Sequence, residues 1–286
     1  FTGGSTDLGG LFTNVATLNA LSAVDIGANI QTNLDQNYAS TVNLSGDVTL
    51  SGNAASFGGA VTGNKNDLTL NFTGLTTIDG ATTFTNIGNL ASTGPTALNG
   101  TIETVGNQTY SGNVSLFGAT TLKGNAGSFS GAVQGGNNNL TLNFTQETTI
   151  GGAQAVANVA NLTSLGDVSL NGTIGTNGVQ NYAANVTLAG DVSLVGTSLL
   201  IANGVEGAGS SLDLNFSSTT ALDDGFANLT DLTSEGDVTL NGAIETTGSQ
   251  TYNGSAVLTG NTSLVGSTLS LASGVDGAGN SLALNF

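Results

Sequence analysis

Val186-Thr-Leu-Ala-Gly-Asp-Val-Ser-Leu194, continued by Leu212-Asp-Leu-Asn-Phe216, decides how this chain folds. Apolar residues take every second position there: Val186 and Leu188, Val192 and Leu194, then Leu212, Leu214 and Phe216, with Thr, Ser, Asp or Asn between them. An extended backbone sends alternate side chains to opposite faces, so a period of two describes strands with one buried side. Helical i, i+3, i+4 spacing is not sustained, and the Asn-Gly pairs Asn99-Gly100, Asn171-Gly172 and Asn241-Gly242 would be costly inside helices. These pairs suit the left-handed backbone of tight corners.

The same phrases recur along the chain. Leu-x-Leu-Asn-Phe ends at Phe72, Phe144, Phe216 and Phe286, and Gln-x-Tyr supplies Tyr38, Tyr110, Tyr182 and Tyr252. Both markers therefore step by 72, then 72, then 70 in the numbering. The shorter last step places a two-residue deletion near Asp223 to Asn228, a loop-like stretch. Phe1-Thr2-Gly3 matches Phe72-Thr73-Gly74, and Phe12, Val15, Leu18 and Ile26 match Phe84, Ile87, Leu90 and Leu98. The reading is one continuous array over 1–286 with repeats 1–72, 73–144, 145–216 and 217–286, a piece of a longer one since it opens and closes at one phase and starts at Phe1 rather than Met.

A shorter step lies within each repeat. Gly166–Leu170 and Gly190–Leu194 share a pattern offset by 24 in the numbering, as do Gly236–Leu240 and Gly260–Leu264. Short strands, Gly/Asn corners and this step predict an all-β fold, a parallel β-helix with roughly three strands per coil and about three coils per repeat. Twelve coils at ~4.8 Å would make a rod of roughly 58 Å. Ile102/Ile174/Ile244, Leu116/Leu188/Leu258 and Leu122/Leu194/Leu264 are then expected to share ladders, three coils apart. The competing architecture is four small β-sandwiches, one per repeat.

Composition removes most chemistry. The 286 residues contain no Cys, His, Met or Trp, so a Ser-His-Asp triad, a Cys-His pair and thiolate or imidazole zinc sites are excluded. Lys65 and Lys123 are the only basic side chains against 19 acids, and a net charge of −17 argues against nucleic acid and anionic lipid as partners. No run of about 18 apolar residues forms a membrane-spanning helix, and no signal-peptide pattern opens the chain. A Cys-free, Gly/Asn/Ser/Thr-rich array leans towards a microbial exterior.

Gly248-Ser-Gln-Thr-Tyr-Asn-Gly254, Ala256-Val-Leu-Thr-Gly-Asn-Thr-Ser-Leu264, Gly274-Val-Asp-Gly-Ala-Gly279 and Leu282-Ala-Leu-Asn-Phe286 together resemble the β-strand repeats of large bacterial surface proteins. The shafts of filamentous-haemagglutinin-like exoproteins and autotransporter adhesins are the nearest in style, from about Ile30 onward. That resemblance implies right-handed β-helices, secretion through an outer-membrane pore and a stalk or adhesive fibre on the cell surface. It implies as partners other copies or neighbouring repeats end to end, and host or surface glycans.

Candidate sites compete with plainer roles. Gly204-Val-Glu-Gly-Ala-Gly209 and Gly274-Val-Asp-Gly-Ala-Gly279 lack the Gly-Gly-x-Gly-x-Asp calcium spacing and carry one acid each, so they read as corner turns. Asp223/Asp224 and the Asp47, Asp167, Asp191, Asp237 series are the carboxylates on which glycosidase chemistry would rest. Ala119 and Asn261 fill slots equivalent to that series, which marks it as corner decoration. Tyr38, Tyr110, Tyr182 and Tyr252 read as corner or core plugs, with a carbohydrate-stacking stripe as the alternative, and Phe72, Phe144, Phe216 and Phe286 as core. Sequons such as Asn113-Val-Ser115 and Asn185-Val-Thr187 are expected by chance, and Pro95 marks a loop before a strand. The expectation is a non-enzymatic structural rod with no catalytic, cofactor or metal residues. A self-assembling filament or sheath subunit is the second reading and a carbohydrate-binding or carbohydrate-cleaving β-helix the third.

Overall fold

The computed structural model describes residues 6–152, 155–223 and 225–286, with the side chains of 80–83 set aside. The Phe1-Thr2-Gly3 start of the repeat register and Asp224 lie outside the described residues. Among those residues there are strands, turns and bends and no helix. The chain divides into two compact units, Phe1–Gln146 and Glu147–Phe286.

In the first unit the strands wind into a β-solenoid with three faces per turn, and every face is a parallel ladder. One ladder runs Val24, Val42, Val61, Phe84, Ile102, Leu122, Leu142. A second runs Ile30, Leu50, Leu70, Ser92, Tyr110, Phe129, and a third Ala20, Tyr38, Phe57, Ile78, Leu98, Leu116. Most of these side chains point inward and are buried, so stacking supplies the backbone pairing and the core together. Rings stack where ladder neighbours are both aromatic: Tyr38 on Phe57 at 5.1 Å and Tyr110 on Phe129 at 5.2 Å between centroids.

The second unit has the same construction. Val168, Val186, Val205, Phe226, Ile244, Leu264 and Leu284 form one ladder, and Ile174, Leu194, Leu214, Ser234, Tyr252 and Leu271 another. Ser164, Tyr182 and Ile201 lie on the remaining face, where strand Thr220–Leu222 packs beside Ser198–Ile201 and continues it through Leu222, Leu240 and Leu258. Strand Thr220–Leu222 ends and Phe226–Leu229 begins four residues after Leu222, against six between Ile150 and Val156, so the deletion in the last repeat removes corner residues only.

The parallel solenoid predicted from the alternation is present, with a shorter turn than the inner step of the sequence indicates. Ladder partners differ in sequence number by 18 at Leu18 and Gln36, by 20 at Val48 and Leu68, and by 23 at Val61 and Phe84. The inner step instead joins one face to the next: Leu170 pairs with Leu188, whereas Leu194 pairs with Ile174 on a different face. Strand-corner units look alike on all faces, so the motif counts sides rather than turns.

The same arithmetic displaces the long repeat. From Gln36 to Gln108 the chain lays down eleven strand segments, Thr76–Ile87 and Thr96–Thr104 each bending through a corner to supply two. At three per turn, eleven segments are three and two-thirds turns, so the equivalent residue falls one face away. Tyr38 and Tyr110 accordingly sit on different ladders of the first unit, and Tyr182 and Tyr252 on different ladders of the second. The expected stacks are corrected in the same way. Ile174 shares a ladder with Tyr252 while Ile244 lies with Phe226, Leu188 pairs with Leu170 while Leu258 pairs with Leu240, and Leu194 and Leu264 belong to separate faces.

Candidate functional site

The carboxylates singled out from the sequence sit at corners, where each accepts a hydrogen bond from the next coil. Asp47 Oδ1 takes the Asp67 N–H at 2.9 Å, and Asp167 Oδ1 takes the Asn185 N–H at 3.1 Å together with its side-chain amide at 2.9 Å. Asp191 accepts from Ser211 N–H at 2.9 Å and Asp237 from Ser255 N–H at 2.8 Å. Asn89, Asn113, Asn161 and Asn261 make the same bond with an amide oxygen, to the N–H of Asn107, Ala132, Val179 and Ser281. An amide oxygen and a carboxylate oxygen are interchangeable as acceptors, which is why Asp and Asn alternate at these slots. Asp223 receives the Asn241 side-chain amide at 3.5 Å, and its sequence neighbour Asp224 lies outside the described residues.

One stretch of surface gathers acids. In the second unit Asp191, Asp213, Asp231 and Glu235, with Thr173, Ser193, Ser211 and Thr233, line an open groove of about 530 Å³. Asp231 Oδ1 accepts both the hydroxyl and the N–H of Ser249 at 2.7 Å, and these bonds hold its carboxyl below the usual range. Glu235 accepts the Asn253 amide at 3.0 Å. Asp213 stands on strand Leu212–Phe216 between Ser193 and Thr233. Loss of hydration, and secondarily the charge on Glu235, raise its carboxyl above the ordinary value. Among the described residues no three acids converge in a geometry that would hold a metal ion.

The repeat markers lie inside. Tyr38, Tyr110, Tyr182 and Tyr252 are fully buried, and each phenol donates to the Gln two residues earlier, at 2.8 Å for Tyr38 and 3.0 Å for the others. Burial pushes all four phenols up beyond any physiological titration. Phe72, Phe144 and Phe216 are buried, whereas Phe286 is partly exposed on the last turn.

Sequence reasoning missed the residues that complete this module. Gln36, Gln108, Gln180 and Gln250 are buried, and each side-chain amide donates across two turns. Gln108, for instance, donates to the Ile102 carbonyl at 3.0 Å and the Lys123 carbonyl at 2.9 Å. Thr32, Thr104, Thr176 and Thr246 turn their hydroxyls onto the carbonyl two residues ahead and close the same corner. The legible signal was the recurrence of Thr-x-x-x-Gln-x-Tyr in all four repeats.

A second recurrence was also missed. Asn14, Asn86, Asn158 and Asn228 adopt φ of 54 to 59° at a bulge in the ladder, and Gly63, Gly135, Gly207 and Gly277 each open a tight turn closed by an N–H bond three residues on. The two central turn positions have positive φ, as at Asn64 and Lys65 or Ala208 and Gly209. Gly204-Val-Glu-Gly-Ala-Gly209 and Gly274-Val-Asp-Gly-Ala-Gly279 contain these turns, where Glu206 and Asp276 accept the N–H of Ala208 and Ala278 at 3.1 and 3.0 Å.

No protein-family model, curated protein or solved structure matches the chain.

Proposed function

We propose that this chain is a non-enzymatic structural rod segment, the stalk of a secreted bacterial surface adhesin or extracellular fibre, serving reach and rigidity. The observation that carries the proposal is where its polar chemistry goes. Corner carboxylates and amides, the buried Gln-Tyr modules and the strand ladders all bond along the solenoid axis, from one turn to the next. Groups committed in this way share an axial load among many parallel bonds. A hydrolase would instead need a carboxylate pair free to exchange protons across a substrate, and the corner acids are occupied as acceptors. Acidity, the lack of Cys and the resemblance to adhesin shafts favour an extracellular setting.

Intact mass of the native polypeptide, together with negative-stain microscopy, tests the stalk. A single chain much heavier than 28.0 kDa running along a fibre is the expected result. A compact native particle with hydrolytic activity on polysaccharide would overturn it.

A further inference from the structure

Asn-Gly pairs stand at Asn99, Asn171, Asn177, Asn203, Asn241 and Asn253. Such a pair can react with itself. The glycine amide nitrogen attacks the asparagine side-chain carbonyl carbon, and no Cβ on the glycine blocks the approach. All these pairs share that local chemistry, and the fold separates them.

Several have their side-chain amides tied to a carboxylate of the preceding turn. Asn99 donates to Asp79 at 3.0 Å, Asn253 to Glu235 at 3.0 Å and Asn241 to Asp223 at 3.5 Å. Asn177 also has a partner. Asn171 lies inside strand Val168–Thr176, where Gly172 is paired with Val192.

Asn203 differs from all of them. It is exposed, its side chain makes no hydrogen bond among the described residues, and it stands in the bend between strands Ser198–Ile201 and Val205–Glu206. The Gly204 N–H is likewise uncommitted among the described residues, whereas the residue at its place one repeat earlier, Ala132, has its N–H held by Asn113 Oδ1 at 3.1 Å. Gly204 takes φ 76°, and a Cβ there would run into the Gly225 carbonyl, so no larger residue fits this corner. Water reaches the pair through an open cleft of about 380 Å³ lined by Asn203, Gly204, Thr187 and Glu206.

We infer that Asn203 is a site of spontaneous deamidation. Hydroxide takes the Gly204 amide proton, and the nitrogen bonds to Cγ of Asn203. The Cγ–Nδ2 bond breaks, and ammonia leaves with a proton drawn from water. A second water opens one carbonyl–nitrogen bond of the resulting cyclic imide, giving aspartate or isoaspartate. Each event adds a negative charge in the cleft that holds Glu206. The isoaspartyl form also lengthens the backbone ahead of Val205, whose N–H donates to the Gly225 carbonyl at 2.9 Å, so an ageing chain loosens at this corner first. The inference stands apart from the stalk reading, since it needs only this chain and water.

Ageing the full folded chain at mildly alkaline pH in heavy-oxygen water, followed by peptide mapping, reads every pair at once. Asn203 is expected to convert about tenfold faster than any other Asn-Gly pair, with a rate that rises with pH as hydroxide removes the Gly204 proton. In the urea-unfolded chain the pairs should convert at similar rates. Asn203→Ser installs the residue that Ser273 supplies at the equivalent corner of the last repeat. It should remove the fast phase of ammonia release and leave the unfolding midpoint unchanged. Equal conversion of all pairs in the folded chain would overturn the inference, as would an intact Asn203 beside a converted pair elsewhere. An Asn203 that leads as strongly in the unfolded chain would also overturn it, by showing that the fold does not select the site.

Discussion

Tyr110 donates its phenolic hydrogen to Oε1 of Gln108 at 3.0 Å, and both side chains are wholly buried. This pair sits where the solenoid turns from the face carrying Ile102 to the face carrying Tyr110, and the Gln108 amide ties its own turn, at Ile102, to the next one, at Lys123. A buried amide with every polar atom engaged specifies one register, because a shifted strand would leave its carbonyl partners bare.

Replacing Gln108 with Leu should therefore strand the Ile102 and Lys123 carbonyls and the Tyr110 hydroxyl. The expected loss is about 3 kcal/mol, measured by urea unfolding. Tyr110→Phe alone should cost less, and the double variant should lose less than the two single losses combined. Additive losses would show that the pair does not act as a unit.

Thr76 offers the reverse case. Its hydroxyl is buried with no hydrogen-bond partner, on the inward side of strand Thr76–Ile87. Thr76→Val keeps the shape and replaces the hydroxyl with a methyl group, so it should stabilise by about 1 kcal/mol. Thr96→Val makes a control, since the Thr96 hydroxyl is bonded to Ser92 and Gly94 and its loss should destabilise.

Gly127 makes room for Phe144. A Cβ at Gly127 would lie 2.6 Å from the Phe144 ring, in the neighbouring turn. Gly127→Ala should cost about 2 kcal/mol through overpacking. Phe144→Leu should relieve part of that loss in the double variant, seen as a thermal midpoint higher than the two single effects combined would give. A result no better than additive would mean that another contact limits the site.

Asp213 predicts a pH dependence. Glu235 faces it, with Asp191 and Asp231 along the same groove. An acid whose folded pKa is raised binds protons more readily when folded, so its charge weakens the fold above that raised value, and stability returns as pH falls through it. Asp213→Asn should raise stability at neutral pH by about 0.5 kcal/mol, and the advantage should shrink as pH falls towards the ordinary carboxylate range. Asp231 carries the opposite sign: its lowered folded pKa adds stability above the unfolded value, lost as pH falls through the folded one. An Asp213→Asn advantage that is independent of pH would contradict the electrostatic origin.

The candidate site was partly legible. Interchange of Asp, Asn and Ala at equivalent slots identified the corner role of Asp47, Asp167, Asp191 and Asp237 from the chain alone. Their bonding partners were not visible, since each accepts from a residue 18 to 20 positions onward. The burial of Gln108 was hidden for a related reason. A Gln next to alternating Thr and Tyr reads as surface, and only its carbonyl partners on two turns stabilise it inside.

By itself the sequence determined the fold class of this protein: alternation set strands with one buried side, glycine and asparagine set corners, and the absence of His and Cys removed imidazole and thiolate chemistry alone. Those properties are local, decided within a few residues. Only the tertiary structure decided which residues stack. A ladder partner is reached after the backbone has closed a full circuit, and the length of a circuit depends on corners and bulges such as the one at Asn86. Eleven strand segments do not divide by three faces, so each long repeat returns one face out of step, and identical motifs meet different neighbours.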